Sequence, residues 1–189
     1  MKTNNLFQPF KLKSLDLRNR FVMAPMTRSF SPDGVPTDNV ANYYAKRAAG
    51  EVGLILSEGT VIDRPSASND KDIPHFYGEE SLKSWKKVIG GVHANGGSMA
   101  PQIWHMGVMP NHHSGWLPSA PFEGPSEFHN PDVRNGRAMT EEDIADAIAA
   151  YGRAAGEGTG QHRKHDCRIE NAGAQLEAFD LLAMDGALG

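Results

Sequence analysis

Three short apolar runs alternate with stretches of helical periodicity, and this alternation constrains the fold more than any other feature. We predict strands at Phe21–Ala24, Val52–Ser57 and Met99–Trp104. Runs that are apolar on both faces are typical of parallel strands covered by helices. The first run is therefore expected to be a buried strand that ends at Pro25. The second is expected to end at a turn at Gly59.

The segments between and after these runs have the spacing of amphipathic helices. We predict helices from Thr37 through Ala48, over Glu79–Ala94, and from Thr140 to about Ala155, where Thr140 and Asp143 resemble a capping box. The order strand, helix, repeated three times, indicates an α/β fold with a parallel sheet. The first two strands begin 31 residues apart. That spacing is close to the roughly 30 residues per unit of an eightfold β/α barrel.

The remaining segments are predicted to be a hairpin and two long loops. Short alternating runs over residues 6–17 predict a small β-hairpin before the main fold. Residues 63–78 and 105–137 are rich in turn-forming residues, and a long loop in a small domain is more often functional than idle.

Charge and hydropathy exclude several classes of protein. The net charge is −4, which disfavours a nucleic-acid partner. Apolar runs are only a few residues long, whereas a membrane-spanning helix needs about 20, and the first residues do not predict a signal peptide. With Cys167 as its single cysteine, the chain cannot form an internal disulfide, so we expect a cytoplasmic protein.

Four motifs follow one another in a fixed order within residues 5–155. They are RNRFVMAPMTR at Arg18–Arg28, YYAKRA at Tyr43–Ala48, VGLILSEG at Val52–Gly59 and PQIWHMG at Pro101–Gly107. Together they resemble the N-terminal half of the old yellow enzyme family, the NADH:flavin oxidoreductases or FMN-dependent ene-reductases. The resemblance implies a (β/α)8 TIM barrel, of which this chain covers about the first three β/α units after the hairpin.

The resemblance also implies which residues contact a flavin. It assigns cofactor contacts to Ala24, Pro25, Met26, Thr27, Gly59 and Gln102, and the substrate-pocket wall to Trp104. All of them follow or end a predicted strand, where a barrel places its reactive ligand. A primary amide such as that of Gln102 can donate to and accept from the flavin edge. Thr27 would lie near the flavin carbonyl, and Gly59 would allow the backbone to approach the cofactor closely.

Each assignment has a simpler alternative. Gln102 alone could be a polar residue at a strand end, Thr27 a local cap, Gly59 a turn residue and Trp104 a core residue, as we expect for Tyr43 and Tyr44. We interpret His105, His112 and His113 as surface or packing residues. His162, His165 and Cys167 lack the spacing of a zinc site, so no metal is expected.

The pattern stops after residue 155, so we divide the chain into a barrel part, 1–155, and a non-matching tail, 156–189. The substrate-anchoring histidine motif of the family is expected near residues 165–175 and is not reproduced there, so no catalytic residue is assigned. One hypothesis is that the tail is disordered or read in a shifted frame. An open barrel would also expose parallel edges, which favours a homo-oligomer.

The function implied by the resemblance is an FMN-dependent NAD(P)H oxidoreductase. It would reduce small activated alkenes, such as α,β-unsaturated carbonyl compounds, by ping-pong hydride transfer. A second hypothesis is an incomplete, non-catalytic polypeptide that contributes at most part of a flavin-binding surface. Another flavin or phosphate-binding barrel enzyme is a third, less favoured by the motifs.

Overall fold

The computed structural model describes residues 5–13, 15–111 and 115–159. The helices are α1 (Asp38–Ala49), α2 (Glu79–Ala94) and α3 (Glu141–Thr159). The strands are β1 (Phe10–Leu12), β2 (Leu15–Leu17), β3 (Val22–Met23), β4 (Leu54–Val61), β5 (Ser98–Trp104), β6 (Glu123–Gly124), β7 (Phe128–Asn130), β8 (Val133–Arg134) and β9 (Arg137–Ala138).

The central sheet has three parallel strands in the order β3-β4-β5. Val22 pairs with Leu54 between the first two strands, and Leu54 pairs with Ser98 between the second and third. The chain passes through a helix between successive strands, as parallel pairing requires. The prediction of an α/β fold with a parallel sheet is confirmed for this part of the chain.

The predicted hairpin is also present and packs beneath the sheet. β1 and β2 are antiparallel, with Phe10 opposite Leu17. Leu15 and Leu17 are buried against Leu54, the first residue of β4. The hairpin therefore covers the end of the sheet opposite to the one where the predicted site residues lie.

Helices α1 and α2 pack against each other and against one face of the sheet. Their bounds match the predicted ones closely, because each has a regular apolar stripe. The buried positions are Val40, Ala41, Tyr44 and Ala48 in α1, and Ser81, Trp85, Val88, Ile89 and Val92 in α2. Apart from the polar Ser81, these residues form the main core together with Ile55 and Met99 of the sheet.

Arg18 joins the ends of these two helices. Its guanidinium donates hydrogen bonds to the carbonyls of Ala48, Val52 (3.1 Å) and Asn95 (2.9 Å). Ala48 is in the last turn of α1, and Asn95 directly follows α2. Carbonyls at helix ends lack partners within the helix and carry partial negative charge, so a cation is favourable there.

The first strand differs from the prediction of a buried strand at Phe21–Ala24. Only Val22 and Met23 are in β3, and the Val22 side chain is 53% exposed. β3 is an edge strand, paired only with β4 in the described part of the chain. Nothing among the described residues covers its outer side, which is the physical reason for the exposure.

The predicted turn at Gly59 is wrong. β4 runs without a break from Leu54 to Val61, and Gly59 pairs with Gln102 of β5. The register shifts between Leu56 and Gly59, so the strand accommodates one extra residue there. A bulge of this kind bends a strand without ending it.

The segment between β5 and α3 contains short strands as well as loops, which the prediction of one long loop missed. β6 pairs with β9 in parallel, and β7 pairs with β8 as an antiparallel hairpin. We call residues 105–138 the excursion. It returns to the sheet at α3, which packs against β5.

Helix α3 begins with the predicted capping box. The Thr140 hydroxyl accepts from the Asp143 N–H (3.2 Å), and the Asp143 carboxylate accepts from the Thr140 N–H (2.9 Å). The helix continues to Thr159, beyond the expected end near Ala155. Most of the predicted tail and its His162, His165 and Cys167 lie outside the described residues, as do His112 and His113. Within the described residues, no helix is long and apolar enough to cross a membrane.

Candidate functional site

A cavity of about 550 Å³ lies beside the sheet, and two of the seven predicted site residues, Pro25 and Gln102, line it. It is lined by Pro25, Leu56, Ala100, Pro101, Gln102, Ile103, Tyr151, Gly152 and Ala155. Pro25 follows β3, and Gln102 is near the carboxyl end of β5, so the predicted residues from these two segments face one space. Its wall is largely apolar, which suits a flat aromatic ligand.

Two polar side chains at this end of the sheet have no hydrogen-bond partner in the part of the chain that the structure describes. Among the described residues, neither the Thr27 hydroxyl nor the Gln102 side-chain amide makes a hydrogen bond, although the Gln102 backbone does. The Gln102 side chain is half-buried, and Thr27 is exposed. Both are therefore available to a ligand, and an amide can serve as donor and acceptor at once.

Gly59 has a neighbour that accounts for its small size. A methyl group at Gly59 would overlap the indole ring of Trp104, which lies directly against the glycine backbone. Sequence reasoning attributed this glycine to the close approach of a cofactor. In the structure, its absent side chain makes room for Trp104, and its contact with a cofactor stays a prediction.

The other predicted contacts are more exposed. Ala24 and Met26 follow β3 on either side of Pro25, and the Met26 side chain is 59% exposed. Trp104 ends β5 and is half-buried, and its indole N–H is buried without a partner among the described residues. The structure thus places all seven predicted residues toward the carboxyl ends of β3, β4 and β5.

A buried ion pair connects the segments that carry these residues. Arg28, next to Thr27, pairs with Glu58, next to Gly59, and Glu58 is completely buried. The Tyr44 hydroxyl bonds to the same glutamate, donating to its carboxylate at 3.3 Å. Burial and the charge of Glu58 raise the pKa of Tyr44, so this hydroxyl stays protonated.

Arg28, Ser57 and Glu58 lie within the motifs, but no role was assigned to them from the sequence. A signal was present, since a cation follows one predicted contact and a carboxylate precedes another. Two strand ends of a parallel sheet that carry opposite charges are expected to pair, because those ends lie at one edge of the sheet. The ion pair between Arg28 and Glu58 shows that they do in this structure.

A second ion-pair network holds the base of the excursion. The Glu123 carboxylate is buried and accepts hydrogen bonds from Arg64 Nε (2.7 Å), Ser66 Oγ (2.6 Å) and Arg137 Nη2 (2.6 Å). Burial opposes its ionisation, but these hydrogen bonds and the two guanidinium charges hold the pKa of Glu123 below its ordinary value. The carboxylate is therefore ionised at neutral pH.

His105 lies beside this network and not in the cavity. Its Nε2 is 3.5 Å from the Glu123 carboxylate. Burial lowers the pKa of His105, as does the Arg64 charge, while Glu123 opposes the shift. The imidazole is thus neutral at pH 7, in accord with the packing role expected from the sequence.

Comparison with known proteins gives the family. A model of the NADH:flavin oxidoreductase / NADH oxidase family matches residues 5–160, which is most of the chain. The chain belongs to this family. The family predicted from the four motifs is therefore confirmed, and with it FMN as the family's cofactor and a nicotinamide as its reductant.

Individual relatives cover the same region. This chain is 42% identical over 102 residues to 12-oxophytodienoate reductase 7 of Oryza sativa subsp. japonica, covering 54% of this chain and 25% of that protein. It is 34% identical over 161 residues to the flavin oxidoreductase hxnT of Emericella nidulans, covering 79% of this chain and 41% of that protein. The chain thus spans less than half the length of these relatives.

Solved structures of the family superpose on the fold. The Old Yellow Enzyme from Pichia sp. AKU4542 matches with a TM-score of 0.72 at 29% identity, over 82% of this chain and 43% of that one. Morphinone reductase in complex with tetrahydroNAD matches with a TM-score of 0.66 at 34% identity, over 80% of this chain and 45% of that one. This chain therefore shares its sheet and helices with the corresponding part of these flavoenzymes.

Proposed function

We propose that this chain provides the flavin-edge part of an FMN-dependent NAD(P)H oxidoreductase that reduces activated alkenes. One observation carries the proposal: at one end of a parallel sheet, the Gln102 amide, which lines a largely apolar cavity, and the Thr27 hydroxyl make no hydrogen bond to the described residues. A flavin ring has an apolar body and a polar edge, so these groups match both parts of it.

Each residue has a distinct task in this proposal. The Gln102 amide hydrogen-bonds the pyrimidine edge of the ring and fixes its orientation. The Thr27 hydroxyl donates to the flavin carbonyl and stabilises negative charge on the reduced ring. Ala24, Pro25 and Met26 supply backbone and apolar contacts, and Gly59 with Trp104 forms a flat wall. Bound FMN would supply hydride transfer, taking a hydride from NAD(P)H and giving one to the β-carbon of the alkene, while a proton from solvent would complete the reduction at the α-carbon.

The substrate class is supported by what the relatives are called. Among them are 12-oxophytodienoate reductases and morphinone reductase. We propose a small α,β-unsaturated carbonyl compound for this chain, with Trp104 as part of the pocket wall.

We further propose that β3, β4 and β5 are the first three strands of a (β/α)8 barrel. The outer edge of β5 is unpaired among the described residues, and the cavity separates it from Tyr151, Gly152 and Ala155 of α3. That is the space a further parallel strand needs. The outer edge of β3 is equally unpaired, and both edges favour association with a complementary chain or a second copy.

The test is the visible absorption spectrum of the purified 189-residue chain after incubation with FMN and desalting. We expect a retained flavin band for the unchanged chain and a much weaker band for Gln102→Leu. Gln8→Leu is the matched control, because Gln8 precedes the hairpin and lies outside the cavity lining. A colourless unchanged chain would leave the family assignment intact and favour the non-catalytic alternative. Equal bands in both variants would remove the role of Gln102.

A further inference from the structure

The bulge in β4 sits in the middle of the predicted flavin contacts. Leu56 pairs with Ala100 and Gly59 pairs with Gln102, so three steps along β4 match two steps along β5. Ser57 and Glu58 are the residues between these pairs. Bulges are devices that redirect side chains, and they are frequent beside functional sites.

At the bulge, the Ser57 side chain replaces a backbone hydrogen bond between β4 and β5. Its hydroxyl accepts a hydrogen bond from the Gln102 backbone N–H at 3.0 Å and donates to the Glu58 carbonyl at 2.6 Å. The residue is fully buried, so no water can replace these bonds. The backbone of Gln102 is therefore held by Ser57 at the point where its side chain enters the cavity.

Glu58 makes the equivalent connection to β3. Its Oε2 accepts from the Arg28 backbone N–H at 3.3 Å, and its Oε1 binds the Arg28 guanidinium. The backbone N–H of Glu58 donates to the Tyr44 hydroxyl at 2.7 Å. One carboxylate thus holds both the backbone and the side chain of the residue that follows Thr27.

The surroundings of Arg28 make this connection rigid. Its guanidinium lies 3.7 Å from the centroid of the Tyr43 ring and 5.1 Å from that of Tyr44. Its side chain is only 11% exposed. A buried ion pair gives little net stability after its desolvation cost, and its best-attested use is to specify one arrangement among several.

We infer that Ser57 and Glu58 are positioning residues that set the Gln102 amide and the Thr27 hydroxyl at a fixed separation around Gly59. The bulge supplies the extra residue, so that adjacent side chains can reach both neighbouring strands. This inference rests on the proposed function, because the two groups that Ser57 and Glu58 position are proposed flavin contacts. The hydrogen bonds themselves can be tested without any ligand.

The experiment uses the 189-residue chain with Ser57→Ala and Glu58→Gln. Two controls accompany them. Thr60→Val alters a buried hydroxyl in the same strand that has no partner among the described residues, and Val88→Ala lowers global stability from the far side of the core. For each variant, amide hydrogen exchange is measured by NMR, and FMN is titrated while the position of the bound flavin band and the dissociation constant are recorded.

We expect Ser57→Ala to accelerate exchange of the Gln102 amide about tenfold and Glu58→Gln to do so for the Arg28 amide. Each should also shift the bound flavin band and weaken FMN binding about tenfold. Thr60→Val should leave these readouts unchanged. Val88→Ala should accelerate exchange of the most protected amides together, without a selective effect at Gln102 or Arg28 and without a shift of the bound flavin band.

Three outcomes distinguish the two proposals. If the unchanged chain binds FMN and both variants bind it with the same band and affinity, the positioning role is overturned. If the unchanged chain binds no FMN, the proposed function fails, and the exchange rates decide the positioning role. Unchanged protection at Gln102 and Arg28 then overturns it, whereas selective loss of protection at these two amides supports it.

Discussion

Replacing Glu123 with glutamine tests whether one buried carboxylate holds the excursion against α3. The Glu123 side chain is 2% exposed, and the Arg64 side chain is 8% exposed. Glutamine keeps the shape and one carbonyl oxygen, which can still accept from Arg64 and Ser66. Its amide nitrogen, however, would face Arg137, so that two donors oppose each other.

The expected loss follows from what remains after the change. Breaking a buried ion pair by removing one partner costs about 3–5 kcal/mol. Arg64 keeps Asp143 at 3.2 Å and Asp146 at 2.5 Å, so its charge is not left alone. We therefore expect the lower end of the range, about 3 kcal/mol less free energy of unfolding.

The assay is equilibrium unfolding in urea at pH 7, followed by far-UV circular dichroism. With a slope of about 2 kcal/mol per molar urea, the midpoint should fall by about 1.5 M. Glu127→Gln is the matched control, because Glu127 forms an exposed ion pair with Arg134 at 2.9 Å. Exposed pairs contribute about 0–1 kcal/mol.

The reasoning would be refuted if the two glutamine variants unfolded at the same urea concentration. Such a result would mean that the Glu123 interactions only balance their desolvation cost and that solvent reaches Arg64 when the carboxylate is lost. A lower midpoint together with a changed slope would instead point to an altered unfolded or native ensemble.

Three further outcomes are expected. Folding lowers the pKa of Glu123, so its contribution to the free energy of unfolding is complete above its ordinary pKa of 4.5 and is lost as the pH falls through the folded value. The stability difference between the unchanged chain and Glu123→Gln, measured by urea unfolding, should therefore shrink below pH 4.5. Arg18→Met should lower the melting temperature by about 4–8 °C, because it removes charged hydrogen bonds at the ends of two helices that contribute about 2 kcal/mol. Lys11→Met, which removes a cation from an exposed ion pair, should leave the melting temperature nearly unchanged. Gly59→Ala should displace the Trp104 ring and cost about 1–3 kcal/mol, measured by tryptophan fluorescence and urea unfolding, and unchanged fluorescence would contradict the packing seen here.

Elements with a regular local pattern were predictable from the sequence. The bounds of α2 match the prediction because five apolar positions repeat at helical spacing and a glycine pair follows. The three parallel strands were predictable in number and order for the same reason. The predicted site residues lie toward the carboxyl ends of the strands, because motif order and strand direction together determine that end; their contact with a flavin stays a prediction.

The features that the sequence did not predict depend on contacts between distant segments of the chain. The local sequence predicts a turn at Gly59, because glycine usually marks one. In the structure the Ser57 hydroxyl maintains pairing across the bulge, and the Trp104 ring occupies the space beside the glycine. Phe21–Ala24 is apolar and was expected to be buried, yet burial depends on neighbours that the local sequence does not describe. Arg64 and Glu123 lie far apart in the chain, and no periodicity connects them.

The contacts at the base of the excursion make its outer part tolerant of changes in length and sequence. β6 and β9 pair in register, and Glu123 at one end binds Arg137 at the other, so the two ends of residues 125–136 are held together by contacts outside that segment. Closing a surface loop costs little more when it is lengthened by a few residues. Residues 127–134 can therefore be shortened, extended or exchanged for a foreign loop while β5 and the groups at its end keep their places. Asn135 and Gly136 should be retained, because Asn135 donates to the Val108 carbonyl at 2.9 Å and a side chain at Gly136 would overlap the Phe122 backbone.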